Sequence, residues 1–144
     1  MARVCLLLVG ALLASALAPR KAQAQYVVVV HETNPLTSIG RSELSNLLLG
    51  RETRWRHGAR ATPVDLPVTS RVRQVFSMAV IRQSATAVRS YWQQQQFAGR
   101  GTPPRERATE RDVLDMIRLD PGAVGYISVT TPLEPGTRAL VVLP

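Results

Sequence analysis

Thiols are almost missing from this chain. Its one cysteine, Cys5, sits near the start of an N-terminal apolar run, so the rest of the sequence has no disulfide framework, no thiolate metal site and no cysteine nucleophile. Histidine is nearly as scarce. His31 and His57 lie far apart and neither belongs to a ligand-spaced motif, which leaves no metal site to expect. No serine–histidine–acid order, paired-carboxylate motif or phosphate-cradling glycine loop is present, so the expectation is a protein that is not an enzyme and needs no cofactor. Long apolar runs are missing too. The longest, Val4 to Ala18, is broken by Pro19, Arg20 and Lys21 and falls short of the roughly 20 residues that span a bilayer. There is no internal repeat, and Gln93 to Gln96 is too short to count as low complexity inside a helical pattern.

What is present begins with a leader. Arg3 behind Met1, the apolar run, and the small-residue site Ala22-Gln23-Ala24 before Gln25 follow the order of a secretory signal peptide. Cleavage is expected after Ala24, giving a bacterial periplasmic or secreted protein with no stable membrane span. Removing residues 1–24 from the 144 leaves residues 25–144, which are 120 in number and enough for one domain with its own core. The formal charge of +8 falls to +5 without Arg3, Arg20 and Lys21, and every remaining cation is arginine. A modest positive excess suits an anion-handling surface and equally suits a proteome rich in arginine. Nucleic acid is not expected as a partner, because the arginines are scattered rather than gathered on one helix.

Along the mature chain, strand and helix patterns alternate. Tyr26 to Val30 is a continuous β-branched run that predicts a strand covered on both faces, as in a parallel sheet. Gly40 and Glu43 open a helix through Leu44, Leu47 and Leu48 to a stop at Gly50. Ala61 to Asp65 reads as a short strand, with Pro63 pointing to a sheet edge or a strand start. Thr69 or Ser70 caps a helix whose apolar face holds Val72, Val75, Phe76, Ala79 and Val80, and Ser84 opens another through Val88, Tyr91 and Trp92 toward Phe97. Gly99 to Pro104 is a loop by composition. Thr109 with Asp112 begins a helix ending at Asp120-Pro121-Gly122, and strands follow over Val124–Val129 and Ala139–Leu143. The expected fold is α/β, a small and mostly parallel sheet flanked by helices. Trp55 and Trp92 read as packing residues.

Function in such sheets tends to sit beyond the carboxyl ends of strands, where helix N-termini face a crevice. The segment from Val64 to Arg73 runs from strand through turn into a helix start, whose free N–H groups and dipole favour an oxyanion. Thr69 and Ser70 add hydroxyls, and Arg71 and Arg73 offer guanidinium forks. The plain alternative is that Ser70 only caps the helix and the arginines are solvated. Arg100, between Gly99 and Gly101, either leans into the same crevice or is an exposed loop residue.

Longer stretches resemble a known family. Leu36-Thr37, Ser42-Glu43-Leu44, Leu47 to Leu49, Gly50-Arg51 and Trp55 are similar to the stretch that opens the second lobe of the substrate-binding proteins of bacterial phosphate ABC transporters. Val64, Ser70 and Phe76 fall at intervals matching that family's strand, Ser-Gly-Thr turn and apolar helix. Asp120 to Ile127 resembles its Pro-Gly-Ala-Ile-Gly-Tyr signature almost residue for residue, and Tyr91 to Gly101 resembles a run found in short stand-alone proteins of this type. The resemblance covers roughly Val29 to Val129 and implies a single lobe of a periplasmic-binding-protein type II-like fold. Where the family has Ser-Gly-Thr, this chain has Ser70-Arg71-Val72, and the arginine before that turn has no equivalent.

The resemblance implies an exported solute-binding module. It would hold a small oxyanion, phosphate first, through Thr69, Ser70 and Arg71, with Arg100 as a secondary contact. Partners to expect are that oxyanion and an ABC permease or another periplasmic protein. The alternative is an interaction module that kept one lobe and lost the ligand, with an exposed lobe surface that favours self-association.

Overall fold

The computed structural model describes residues 25–144, so the leader expected over residues 1–24 lies outside the described residues. Six strands form one sheet. They are β1 (Tyr26–His31), β2 (Ser38–Gly40), β3 (Thr62–Asp65), β4 (Arg105–Glu106), β5 (Ala123–Ser128) and β6 (Thr137–Leu143), in the spatial order β2-β6-β1-β5-β3-β4. The helices are α1 (Arg41–Leu48), α2 (Arg71–Phe76), α3 (Ala85–Phe97) and α4 (Glu110–Leu119).

Five strands point one way and β1 runs against them. It pairs antiparallel with both β5 and β6, whereas β2 with β6, β3 with β5 and β3 with β4 are parallel pairs. The apolar run of β1 correctly indicated a strand covered on both faces, with Val28, Val29 and Val30 all buried, but the parallel setting expected for it is not found, since both its neighbours run antiparallel to it. It carried no information on direction, since burial on both faces removes alternation whichever way the neighbours run.

Both faces of the sheet are covered. On β5 the alternation of side chains sends Gly125 toward α4 and Tyr126 toward α2. A Cβ at Gly125 would meet Val113 Cγ1 at 2.7 Å and Ile117 Cδ1 at 3.2 Å, so the missing side chain is what lets α4 lie close. On the other face, Phe76 of α2 stacks on Tyr126 with ring centroids 3.8 Å apart and meets Tyr26 edge-on. The main core joins β1, β3, β5, α1 and α4 with Trp55, and a smaller cluster of Leu49, Val88 and Trp92 sits under α3.

Local differences from the sequence expectations have simple causes. The helix expected from Ser70 through Val80 is α2 followed by a π-helical turn, Ser77–Ile81, which stops where Arg82 takes a left-handed φ of 61°. Strand β3 is not an edge, because β4 lies outside it. That edge strand has only two residues and pairs with Val64 and Asp65, leaving Pro63 at the part of β3 that β4 does not reach. Strands β2 and β4 are too short to carry a hydrophobic period.

The Asp120-Pro121-Gly122 turn is tightly built. Asp120 Oδ1 accepts the Gly122 N–H at 2.8 Å, and the Gly122 carbonyl accepts both Trp55 Nε1–H at 3.0 Å and Thr62 N–H at 2.9 Å. A Cβ on Gly122 would lie 2.4 Å from the backbone oxygen of Arg60.

Candidate functional site

Two helix starts converge beyond the carboxyl ends of β3 and β5. After Asp65 the chain turns at Leu66-Pro67, where the Ser70 N–H donates to the Pro67 carbonyl at 2.8 Å. Ser70 then caps α2, its hydroxyl oxygen accepting the Arg73 N–H at 3.3 Å. Thr109 caps α4 through a reciprocal pair: Asp112 N–H donates to Thr109 Oγ1 at 3.1 Å, and Thr109 N–H to Asp112 Oδ2 at 3.0 Å. The remaining amides of each first turn have no intrahelical acceptor, and both helix dipoles present their positive ends.

Between them lies an open hollow of about 520 Å³, lined by Thr69, Ser70, Thr109, Glu110, Arg111 and Thr131 among others. The structure therefore places Thr69 and Ser70 on the hollow. Arg71 is exposed on the first turn of α2 and is not part of its lining. Arg100 lies beyond the C-terminus of α3, where its N–H donates to the Gln95 carbonyl, and it lines no hollow shared with Ser70 among the described residues. The guanidinium on the hollow is that of Arg111, 80 % exposed and 3.9 Å from the Glu134 carboxylate.

The hollow also contains an acid. Glu110 Oε2 accepts the Ser128 N–H at 2.7 Å and the Thr131 hydroxyl, so a carboxylate already takes two of the donors at this end of the sheet. Thr109, Glu110, Arg111 and Thr131 were not singled out as ligand-facing from sequence. The Thr109–Asp112 capping spacing did mark the start of α4, but only the packing of β5 beside β3 brings that start next to Ser70.

Arg73 offers no fork to an incoming anion. It is 4 % exposed, and its Nη2 lies 2.9 Å from Asp65 Oδ2 while its Nη1 reaches Glu106 Oε2 at 3.2 Å and the Leu66 carbonyl. Asp65 Oδ1 accepts from the Leu66 N–H at 2.9 Å and from the Tyr126 hydroxyl. Burial holds the Asp65 carboxyl above the ordinary carboxylate range, with Arg73, Tyr126 and the Leu66 N–H pulling the other way. Burial and the Asp65 carboxylate raise the Tyr126 phenol, which keeps it a hydrogen-bond donor. This buried network ties the Leu66–Ser70 turn to β3, β4 and β5, and so fixes where the α2 start points. Among the described residues no group of three metal-ligating side chains occurs, and no helix is long and apolar enough to cross a membrane.

No protein-family model and no curated protein matches the sequence. Solved structures do match. An ABC-type phosphate transport receptor from Vibrio cholerae aligns with a TM-score of 0.64 at 16 % identity, over 82 % of this chain and 46 % of that one. A putative phosphate ABC transporter substrate-binding protein with bound phosphate from Clostridium perfringens gives 0.64 at 16 % identity, over 82 % and 44 %. PstS from Borrelia burgdorferi gives 0.63 at 15 % identity, over 82 % and 47 %. These neighbours are solute-binding proteins of transport, and this chain spans less than half of their length. The described residues have the α/β fold of a single lobe of such a phosphate-transport binding protein.

Proposed function

We propose that the chain is an exported, non-enzymatic binding module, residues 25–144 following a signal peptide over residues 1–24, which holds a small oxyanion in the hollow between the starts of α2 and α4. The observation that carries this reading is the convergence of two capped helix N-termini, at Ser70 and Thr109, on one open concavity rimmed by Arg111. Free first-turn amides and the positive ends of two helix dipoles favour negative charge without any special ligand residue. Phosphate is the first ligand to try, because solved phosphate-transport receptors share the fold. In this reading Thr69 and Ser70, which line the hollow, are assigned to the oxyanion. Arg111 supplies the guanidinium expected of Arg71 and Arg100. The proposal includes a periplasmic location and service to an ABC permease, supported by the phosphate-transport receptors that share the fold.

Glu110 tempers the affinity, since its carboxylate repels an anion in the hollow and takes the Ser128 and Thr131 donors. Titration calorimetry of residues 25–144 with phosphate, and with sulfate in parallel, tests the reading. Measurable heat at millimolar phosphate is expected, with tighter binding in Glu110→Gln, whose neutral amide removes the repulsion. Silence from both the parent and that variant would end the proposal.

A second reading has its own support. Val129 and Leu133, exposed by 50 % and 45 %, flank Thr131 in the β5–β6 loop and put apolar surface beside the hollow. That favours an interaction module, in which a second copy or another exported protein covers this end of the lobe. Light scattering of the purified protein separates the two: a monomer at every concentration disfavours self-association.

A further inference from the structure

The stretch from Arg51 to Arg60 holds four arginines against one acid, a net +3 within ten residues. It is folded into a hairpin. Ala61 N–H donates to the Thr53 carbonyl at 3.0 Å and Trp55 N–H to the Ala59 carbonyl at 2.9 Å, which sets Arg54 opposite Arg60 in an antiparallel bridge. These bonds flank the two arginines rather than join them, so theirs is the narrow kind of pair, with both side chains on one face and Cβ atoms about 5 Å apart. Trp55, the next residue along, points the other way and is buried, its indole donating to the Gly122 carbonyl at 3.0 Å. The two guanidinium groups are therefore turned outward.

Like charges directly opposite each other destabilise a strand pair. Nothing nearby neutralises them. Arg51, Arg54, Arg56 and Arg60 are all exposed, and none forms an ion pair among the described residues. Glu52, the acid of the stretch, gives its Oε1 to the Asn46 carboxamide at 3.0 Å. Two of the arginines are held in place without being paired: Arg54 Nη1 donates to the Gly58 carbonyl at 2.9 Å, and Arg56 Nη2 to the Ser38 carbonyl at 2.6 Å. Each keeps its other donors for an outside acceptor.

We propose that this hairpin docks the protein on an anionic bilayer, lipid phosphates taking the free guanidinium donors. Arginine's planar fork suits phosphate, and cations on both arms of a hairpin match charges spread over a plane better than charges strung along one polymer. Trp55 is buried and cannot stack on a base, which disfavours a nucleic acid. The choice of a bilayer rests on the export proposed above, which brings the chain beside a membrane. The hairpin packs on Gly122, ahead of β5, whereas the oxyanion hollow lies beyond the other end of that strand, so docking leaves the hollow open.

Co-sedimentation of residues 25–144 with vesicles tests the proposal. Binding is expected to an equimolar mixture of phosphatidylglycerol and phosphatidylcholine, to fade as sodium chloride screens the charges, and to be missing with phosphatidylcholine alone. Arg54→Gln/Arg60→Gln should lower the partition coefficient about 25-fold, at about fivefold for each arginine. Arg51→Gln/Arg60→Gln, which leaves the Gly58 and Ser38 hydrogen bonds in place, should lower it as much. Arg60→Gln alone should melt no lower than the parent, since it relieves the opposed charges. Arg89→Gln/Arg100→Gln removes the same charge from α3 and its following loop and should change vesicle binding little. All these variants should keep the parent's calorimetric response to inorganic phosphate, so failure at the vesicle and failure at the hollow are seen separately. The proposal is overturned if pure phosphatidylcholine binds as well, if the Arg89/Arg100 variant loses as much as the hairpin variants, or if soluble polyphosphate at equal phosphate concentration strips the protein from the vesicles.

Discussion

Arg73→Met would remove the cation from the centre of the buried network while keeping most of the aliphatic volume. The Asp65 carboxylate, 8 % exposed, would then lose its 2.9 Å partner and face an apolar neighbour. Breaking one side of a buried pair costs about 3–5 kcal/mol, because the remaining charge is stranded rather than because the pair itself was worth so much. A domain of this size has about 5–15 kcal/mol in all, so the variant should lose a large fraction of its stability, and its Tm should fall by roughly 10–20 °C.

The signature of stranding is rescue. Adding Asp65→Asn removes the orphan charge but keeps an oxygen for the Tyr126 hydroxyl and the Leu66 N–H, so Arg73→Met/Asp65→Asn should recover about 2 kcal/mol over Arg73→Met alone. Urea unfolding of the parent, both single variants and the double variant gives the cycle directly. A loss under about 1 kcal/mol in Arg73→Met, or a double variant no more stable than that single one, would refute the reasoning. Because Arg73 also holds the Leu66 carbonyl at the root of the α2 start, its loss should weaken phosphate binding even in the fraction that stays folded.

Three further outcomes follow from the same structure. Gly125→Ala should cost about 1–3 kcal/mol by pushing its methyl into Val113 and Ile117, and Gly122→Ala should cost more because the obstruction is the Arg60 backbone; equal thermal stability to the parent in either would show that the neighbours yield. Ser70→Ala should destabilise by about 1 kcal/mol through the lost cap and should also weaken phosphate, whereas a stability loss with unchanged calorimetric affinity would assign Ser70 to capping alone. The Asp65 carboxyl is raised in the folded protein above its ordinary value of 3.8, so the folded state holds that proton more firmly than the unfolded chain. Its contribution to stability is greatest at acid pH and declines as pH rises above that value, and Asp65→Asn should flatten this part of the urea-unfolding profile; superimposable profiles would count against the raised value.

The sequence was most informative where a local rule decides the outcome. The run Val28–Val30, the caps at Ser70, Ser84 and Thr109, and the apolar face of α4 each follow from a few neighbouring residues, and each element lies where those residues place it. Strand direction was hidden, because β1 reads the same whether its neighbours run with it or against it. The site was only half legible. Ser70 was visible as a helix start, but the partnership with Thr109 and Arg111 depends on which strands are adjacent, and the fate of Arg73 depends on Glu106, thirty-three residues later in the chain. The Asp120–Ile127 signature was the most specific match to a phosphate-binding family. Its residues here close a turn, admit α4 and hold Asp65, so in this chain they build the scaffold and touch the hollow nowhere.

The two margins of the sheet are short, and one of them is charged. Strand β2 spans three residues and β4 two, and β4 consists of Arg105 and Glu106, both charged and exposed. A neighbouring molecule that tried to add a strand would find few open peptide groups and a pair of hydrated side chains in the way. Growth by strand addition therefore finds little purchase at either margin of this sheet.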